Sequence, residues 1–170
     1  NPGPEYAATR HNVGAMVVEV IAERTRIRMA RHKRAHAQAG EGKIGVPGAA
    51  THMVLSTPMS YMNESGGPVK ALMSFYGVAP DRMVVVHDEL DIPFASLRVK
   101  LGGGDGGHNG LKSLERGLGS RDFQRVRIGV GRPDSTDPEI VSRHVLGRFE
   151  EGDDLARIYD YAAAADTLTA

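Results

Sequence analysis

The sequence of 170 residues contains no cysteine. That absence excludes disulfide bonds, thiolate metal sites and a cysteine nucleophile. Neither sign of charge is in excess, because 21 Lys and Arg residues balance 21 Asp and Glu residues. Any RNA contact must therefore come from local clusters of cations. No apolar run is long enough to span a bilayer and no signal peptide is evident, so we expect a cytoplasmic protein that binds no membrane.

The composition is that of an ordinary globular protein. Hydrophobic residues make up 41% and charged residues 25% of the chain, which argues against disorder. The length suits one domain rather than two, and we find neither repeats nor a linker. We therefore expect residues 1–170 to form a single domain.

Hydrophobic periodicity indicates helices that alternate with short strands. From His11 to about Thr25 apolar residues recur at helical spacing, and Thr9 precedes them as a candidate N-cap. The pattern predicts an α/β fold with helices around a twisted mixed sheet that is largely parallel. Helices are predicted over 11–25, 65–76, 111–118, 141–146 and 155–163, and strands over 83–86, 97–101 and 126–130, with two more between 35 and 57.

Two polar residues stand at predicted helix entrances. His11 opens the first helix, where the positive end of the helix dipole favours a neutral imidazole that suits a general base. The alternative is a capping or solvent-facing histidine. Asn63 precedes the second helix, where it is either a turn residue or an amide directed at a substrate oxygen.

A third polar cluster follows the strand at 83–86. The segment His87-Asp88-Glu89-Leu90-Asp91 lies at the carboxyl end of that strand, where open α/β sheets place their sites. One carboxylate there could orient a histidine and stabilise its imidazolium. The alternatives are a solvated acidic turn, or a metal site of His87, Asp88 and Glu89, which adjacent residues form with difficulty.

A glycine-rich loop over 102–110 leads into another predicted helix. Such loops let backbone N–H groups approach phosphate, but this one lacks the Lys-Ser/Thr pair of a P-loop and fits the dinucleotide fingerprint poorly. His108 and Asn109, near its end, present two polar side chains where the backbone permits close approach.

Cations cluster in two places. The stretch 24–34 carries Arg and Lys but no acid, and is either a solvated surface or a contact for phosphates. Lys100 and Arg127 lie on predicted strands that flank the glycine loop in sequence, and could form a compact phosphate clamp.

These residue types favour one chemistry. The chain offers no serine elbow, no thiol and no convincing metal set. What remains is water activated by a histidine, with Asn amides fixing the carbonyl and the water. An activated ester is a better substrate for such a site than an amide, because its leaving group needs less help.

Five segments, in order along almost the whole chain, resemble the bacterial peptidyl-tRNA hydrolase family. They are Asn1-Pro2-Gly3-x-x-Tyr6-x-x-Thr9-Arg10-His11-Asn12-x-Gly14, Tyr61-Met62-Asn63-x-Ser65-Gly66, His87-Asp88-Glu89-Leu90-Asp91, Lys100-Leu101-Gly102-Gly103-Gly104-x-Gly106-Gly107-His108-Asn109-Gly110-Leu111-Lys112 and Arg125-x-Arg127-Ile128-Gly129-x-Gly131.

The resemblance implies that family's fold and activity. The chain would be a monomeric esterase that needs no metal or cofactor. Its substrate would be peptidyl-tRNA, in which it cuts the ester between the peptide and the terminal ribose and so recycles tRNAs that left the ribosome. The resemblance makes His11 the general base and Asp88 the group that orients and polarises it. The amides that bind substrate, position water or stabilise the oxyanion would be Asn1, Asn63 and Asn109.

The remaining matches concern substrate binding. Met62 and His108 would line the peptide cleft, and Tyr6 would contact the substrate, as would the amides of Asn63 and Asn109. Lys100 and Arg127 match the basic residues that clamp the 5′ phosphate of the tRNA.

The chain also departs from the family in three places. The family begins with a buried strand before the position of Asn1, and its C-terminal helix continues beyond Ala170. We therefore expect both ends to be missing here, which would expose a central sheet edge. Ala95 stands where many members have Gly after a Pro.

Two other hypotheses remain open. One is a non-catalytic, RNA-binding relative of the family, against which the presence of His11, Asp88 and the three Asn residues argues. The other is a metal-dependent phosphohydrolase that uses the run from His87 to Glu89, and activity insensitive to chelators would reject it.

Overall fold

The computed structural model describes residues 1–150 and 155–162. Three short 3-10 turns, at Arg10–Asn12, Met62–Glu64 and Pro80–Arg82, accompany the regular elements. No described helix is long and apolar enough to cross a membrane. In chain order the regular elements are α1 (Val13–Thr25), β1 (Ala30–Arg31), β2 (Ala37–Ile44), β3 (Thr51–Pro58), α2 (Gly66–Tyr76), β4 (Val84–Glu89), β5 (Leu97–Leu101), α3 (Asn109–Leu118), β6 (Gln124–Gly129), α4 (Pro138–Val145) and α5 (Leu155–Ala162).

The strands form two sheets of three. The first has the order β1-β2-β3 and is antiparallel throughout. The second has the order β4-β6-β5, with β4 parallel and β5 antiparallel to β6. The expected α/β fold with mixed pairing is confirmed. The expectation of a largely parallel sheet is wrong, because β2 and β3 form a hairpin around a Gly/Pro turn and β5 runs against β6.

Most predicted elements are present, with small shifts at their ends. Thr9 does not cap α1 as predicted. Its hydroxyl donates to the carbonyl of Tyr6 at 2.8 Å, and a 3-10 turn separates it from α1. Strand β4 continues to Glu89, so His87 and Asp88 lie within the strand rather than after it. The two-residue strand β1 was not predicted. The last helix is described to Ala162, and position 163 lies outside the described residues.

Helix α1 packs very close to β4, and this contact positions the start of the helix. Val13 and Val17 are fully buried in the main core. Gly14 permits the approach, because a Cβ there would collide with the carbonyl oxygen of Val86. The 3-10 turn that carries His11 is therefore held beside the carboxyl end of β4.

Strand β4 is an outer strand of its sheet, and no described strand pairs with its second edge. That edge borders a cavity described below. The strand expected before Asn1 lies outside the sequence and stays a prediction.

Ala95 occupies a conformation that explains why glycine suits its position. Its φ of 59° lies in the left-handed region, which costs a residue with a Cβ roughly 1 kcal/mol. The residue is buried, and its N–H donates to the carbonyl of Gly129 at 3.1 Å. The difference from the family affects a turn and no proposed chemistry.

Candidate active site

His11 and Asp88 form a buried hydrogen-bonded pair. The Nδ1 atom of His11 lies 2.9 Å from Oδ1 and 3.0 Å from Oδ2 of Asp88. The side chains are 9% and 3% exposed, so the alternative of a solvent-facing histidine is wrong. A carboxylate only accepts hydrogen bonds. In the neutral ring Nδ1 therefore carries the proton, and Nε2 keeps a lone pair that can act as a base.

Asp88 accepts a second N–H, from a histidine on the glycine loop. Nε2 of His108 lies 2.8 Å from Oδ1 of Asp88. The other ring nitrogen, Nδ1, accepts the backbone N–H groups of Gly110 at 3.1 Å and Leu111 at 3.3 Å. His108 is therefore the N-cap of α3, and this bonding fixes its neutral tautomer with the proton on Nε2.

The environment of Asp88 keeps its carboxylate charged. Burial raises the pKa of Asp88, but the hydrogen bonds from His108 and His11 outweigh burial and hold the pKa well below its usual range. The two rings lie 4.7 Å apart between centroids. One anion thus orients two imidazoles at neutral pH.

The adjacent histidine, His87, serves a different purpose. Its Nδ1 donates to the main-chain carbonyl of Asp88 at 2.7 Å. Burial and the proximity of His108 lower the pKa of His87 to about 4, so the ring is neutral at physiological pH. The carboxylate of Glu89 accepts the backbone N–H of Asp91 at 3.3 Å. The run from His87 to Glu89 therefore does not converge on a common metal position.

A different set of potential ligands lies closer together. The ligand atoms of His11, Asp88 and His108 are within 4.8 Å of one another. Metal binding at Nε2 of His108 would move its proton to Nδ1 and break both capping hydrogen bonds of α3. The donor set consequently fits a proton-transfer network better than a metal site.

A second network joins the first residue of the chain to the site. The side chain of Asn12 donates to the carbonyl of Asn1 and accepts from its backbone nitrogen, both at 2.8 Å. Oδ1 of Asn1 in turn accepts the backbone N–H of Met62 at 2.7 Å. Among the described residues the side-chain amide nitrogen of Asn1 has no acceptor, so it can donate to a bound group. The sequence did not indicate that Asn12 positions Asn1, although Asn12 belongs to the first of the five segments that resemble the family.

Two cavities meet at His11 and His108. The first, of about 190 Å³, is lined by Asn1 and Met62 and by apolar side chains of β4 and α3. The second, of about 270 Å³, is lined by Asp88 and Asn109 together with the glycine loop and α4. Both open toward the same pair of imidazoles.

Four predicted site residues lie outside these cavity walls: Asn63 and Tyr6, and the cations Lys100 and Arg127, which lie on the second sheet. Asn63 is exposed on its 3-10 turn, where its carbonyl accepts from Arg116 at 3.5 Å. The Tyr6 ring makes an edge contact with Tyr61, with 6.5 Å between centroids. The structure therefore brings His11, Asp88, His108, Asn1, Met62 and Asn109 together, and leaves Asn63 and Tyr6 at the periphery.

The predicted phosphate contacts share one face of the second sheet. Lys100 on β5 faces Arg125 on β6, and Arg98 faces Arg127 two residues further along. Directly opposed residues of an antiparallel pair point to the same face of the sheet, and so do residues two positions apart on one strand. Lys100 and Arg127 therefore share a face as diagonal neighbours, about 7–8 Å apart at the backbone. Within the described residues, the buried Nε of Arg127 has no hydrogen-bond partner.

Arg125 anchors the glycine loop to this face. The residue is 2% exposed, and its guanidinium donates to the carbonyls of Gly103 and Gly104, each at 2.7 Å, and to Glu115 at 3.3 Å. The loop that carries His108 is thereby fixed to the sheet that carries Asp88. Sequence reasoning did not identify this function, and the only signal was a cation inside an apolar strand.

Comparison with known proteins finds one family along the chain. The family model described as Peptidyl-tRNA hydrolase matches residues 1–169. The peptidyl-tRNA hydrolase of Streptomyces coelicolor is 52% identical over 171 residues, which cover 100% of this chain and 84% of the relative. That of Frankia alni is 49% identical over 164 residues, covering 96% and 74%. The crystal structure of peptidyl-tRNA hydrolase from Acinetobacter baumannii superposes with a TM-score of 0.86 at 38% identity, covering 99% of this chain and 83% of that one.

Proposed function

Because the chain belongs to the peptidyl-tRNA hydrolase family, we propose that His11 activates the water that cleaves its substrate. The reaction is hydrolysis of the ester between a peptide and the terminal ribose of tRNA, which recycles tRNAs released from the ribosome. The observation that carries the proposed role of His11 is its 2.9 Å hydrogen bond to the buried carboxylate of Asp88. That bond directs a free Nε2 lone pair away from the carboxylate.

The mechanism follows from the protonation states of the two residues. Nε2 of His11 takes a proton from water as the oxygen attacks the ester carbonyl. The imidazolium that forms is stabilised by the Asp88 carboxylate, which stays ionised because its pKa is held low. When the tetrahedral intermediate collapses, the ribose oxygen leaves and receives the proton from His11. The products are a peptide with a free carboxylic acid and an intact tRNA.

Amide side chains complete the proposed site. Asn109 lines the same cavity as His11 and Asp88, and Asn1 lines the other, so each can donate toward a carbonyl oxygen or a water. From the family resemblance, Asn63 is assigned the same class of role, although it is exposed and lines neither cavity. One oxyanion donor contributes roughly 10²–10³-fold in rate, and a positioned base roughly 10²–10⁴-fold. These effects suit an ester that is already activated.

The tRNA supplies binding energy far from the reacting carbonyl. Lys100 and Arg127 lie side by side on one face of the second sheet, as a clamp for the 5′ phosphate requires. Met62 and His108 line the cavity wall next to His11, where they would contact the peptide, and Tyr6 would contact substrate at the rim. From the family resemblance we also propose that residues 1–170 act as one domain of a cytoplasmic monomer, without a metal or cofactor.

The test is single-turnover hydrolysis of a purified peptidyl-tRNA by the wild type and by His11→Ala. We expect a loss of roughly 10²–10⁴-fold, with the wild-type rate unchanged by chelator. Thermal unfolding must accompany the assay, because His11 is buried and its replacement removes the hydrogen bond to Asp88. A folded variant that hydrolyses at the wild-type rate would favour the non-catalytic, RNA-binding alternative.

A further inference from the structure

Five cations lie on β1 or on the loops that flank it, and none has an acidic partner among the described residues. We call them the basic segment: Arg26, Arg28, Arg31, Lys33 and Arg34. Each side chain is exposed, and no carboxylate in the described part of the chain forms an ion pair with any of them. In a chain of zero formal charge, this is a local excess of positive charge that the proposed reaction does not use.

An exposed aromatic ring lies against the basic segment. Phe75, near the end of α2, is 51% exposed. The His32 ring meets it edge-on with 4.7 Å between centroids, and the guanidinium of Arg34 lies 5.8 Å from its centroid. A large apolar side chain that remains half exposed beside cations is a feature of surfaces that stack nucleic-acid bases.

The turn that carries these cations is held in one conformation. Nδ1 of His32 accepts the backbone N–H groups of Arg34 at 3.2 Å and Ala35 at 3.1 Å. The His32 ring also packs against Tyr76 of α2, with 5.8 Å between centroids. The backbone that carries Lys33 and Arg34 and the neighbouring aromatic ring are therefore positioned before any partner binds, which lowers the entropic cost of association.

The basic segment is separate from the proposed phosphate clamp. Arg31 lies on β1 of the first sheet and the other four cations lie in the loops that flank this strand, whereas Lys100 and Arg127 lie on strands of the second sheet. A backbone hydrogen bond links the chain after the basic segment to the segment before the cavity wall, because the carbonyl of His36 accepts the backbone N–H of Met59 at 2.9 Å, three positions before Met62.

We propose that the basic segment and Phe75 form a second RNA-binding surface that takes unpaired RNA. Its phosphates contact the cations, and a base stacks on the exposed part of the Phe75 ring. An acidic peptide would use the charges but not the ring, so the aromatic group favours RNA. This surface does not depend on ester hydrolysis, and the probe below contains no ester, so each proposal can fail without the other.

The test measures binding of a fluorescein-labelled single-stranded RNA of about 12 nucleotides, a length within the usual site sizes, by anisotropy at several salt concentrations. The variant Arg31→Gln/Lys33→Gln removes two charges from the surface. The variant Lys43→Gln/Arg82→Gln is the matched control, because both of its positions are exposed and outside the basic segment.

We expect the first variant to bind more weakly and to lose about 1.4 from the slope of log affinity against log salt, at about 0.7 per phosphate contact on a single strand. The control should keep the wild-type slope. Both should hydrolyse a minimal ester at the wild-type rate. Equal slopes for the two variants would overturn the proposal.

The aromatic contribution needs its own variant. Phe75→Leu keeps an apolar side chain against His32 but removes the stacking surface, and should weaken RNA binding roughly 5- to 150-fold. Thermal unfolding confirms that the variant is folded. Unchanged RNA affinity in this variant would overturn base stacking, and polyglutamate that competes as well as RNA would assign the surface to an acidic protein instead.

Discussion

His108 has two functions that one pair of substitutions separates. Its Nε2 donates to Asp88 at 2.8 Å, and its Nδ1 caps α3. His108→Ala removes both interactions. His108→Asn keeps the cap, because Asn is a favoured N-cap residue. It removes the bond to Asp88, because the Asn side chain is too short to reach the carboxylate.

The loss of stability in each variant follows from the interactions that the substitution removes. A hydrogen bond to a buried charged group contributes about 1.5–3 kcal/mol, and an N-cap about 1 kcal/mol. The free energy of unfolding should therefore fall by about 2 kcal/mol in His108→Asn and about 3 kcal/mol in His108→Ala. Urea denaturation at neutral pH measures both values, and equal stabilities for the two variants would refute the capping function.

Activity should follow the bond to Asp88 and not the cap. Without His108, only His11 and packing fix the carboxylate, so the base loses its alignment and kcat/KM should fall up to about 100-fold in both variants. Steady-state hydrolysis of peptidyl-tRNA provides the comparison. A His108→Asn variant with wild-type kcat/KM would show that the second imidazole does not help to orient Asp88.

Three further predictions follow from the site and its surroundings. Asp88→Asn should lower the single-turnover rate roughly 10²–10⁴-fold, because a neutral amide no longer stabilises the imidazolium, and a variant that keeps a tenth of the rate would contradict this. Lys100→Ala and Arg127→Ala should each raise KM for peptidyl-tRNA and flatten its salt dependence while sparing a minimal ester, whereas equal losses on both substrates would argue against phosphate binding. His87, with its pKa lowered from 6.5 to about 4 in the fold, takes up a proton first in the unfolded chain. The native state should therefore lose about 3 kcal/mol as pH falls between these values, and urea titrations of His87→Gln should show a flatter pH dependence. If the free energy of unfolding of His87→Gln depended on pH as steeply as that of the wild type, the lowered pKa of His87 would be refuted.

Sequence patterns located the main chemistry because the polar residues interrupt regular apolar periods. The patterns single out His11 at a helix entrance and Asp88 near the end of an apolar strand, and the family resemblance pairs them. The structure confirms that they touch. What the pattern did not reveal is that β4 continues through Asp88, since a polar residue in a strand resembles the start of a loop.

The contacts of His108 and Arg125 were not predictable from local sequence. Histidine is not among the favoured N-cap residues, so its capping of α3 carried no recognisable signal. The burial of Arg125 depends on loop carbonyls 21 and 22 positions away in sequence. Long-range satisfaction of polar groups of this kind is set by tertiary packing and leaves no periodicity.

The pairing of the strands was also underdetermined. Alternating helices and strands favoured parallel pairing, but the hairpin of β2 and β3 and the reversal of β5 make most of the pairings antiparallel. Hydrophobic patterns specify which face of a strand is buried. They do not specify the direction of its neighbour.

The most direct test of the account is the position of the proton on His11. Long-range ¹H–¹⁵N correlation spectra of the labelled protein at mildly alkaline pH report the protonation of each ring nitrogen, and a His11→Gln variant assigns the signals. The account predicts a protonated Nδ1, hydrogen-bonded to Asp88, and an unprotonated Nε2. A proton resident on Nε2 would contradict it, because the nitrogen that faces the substrate would then have no lone pair with which to activate water.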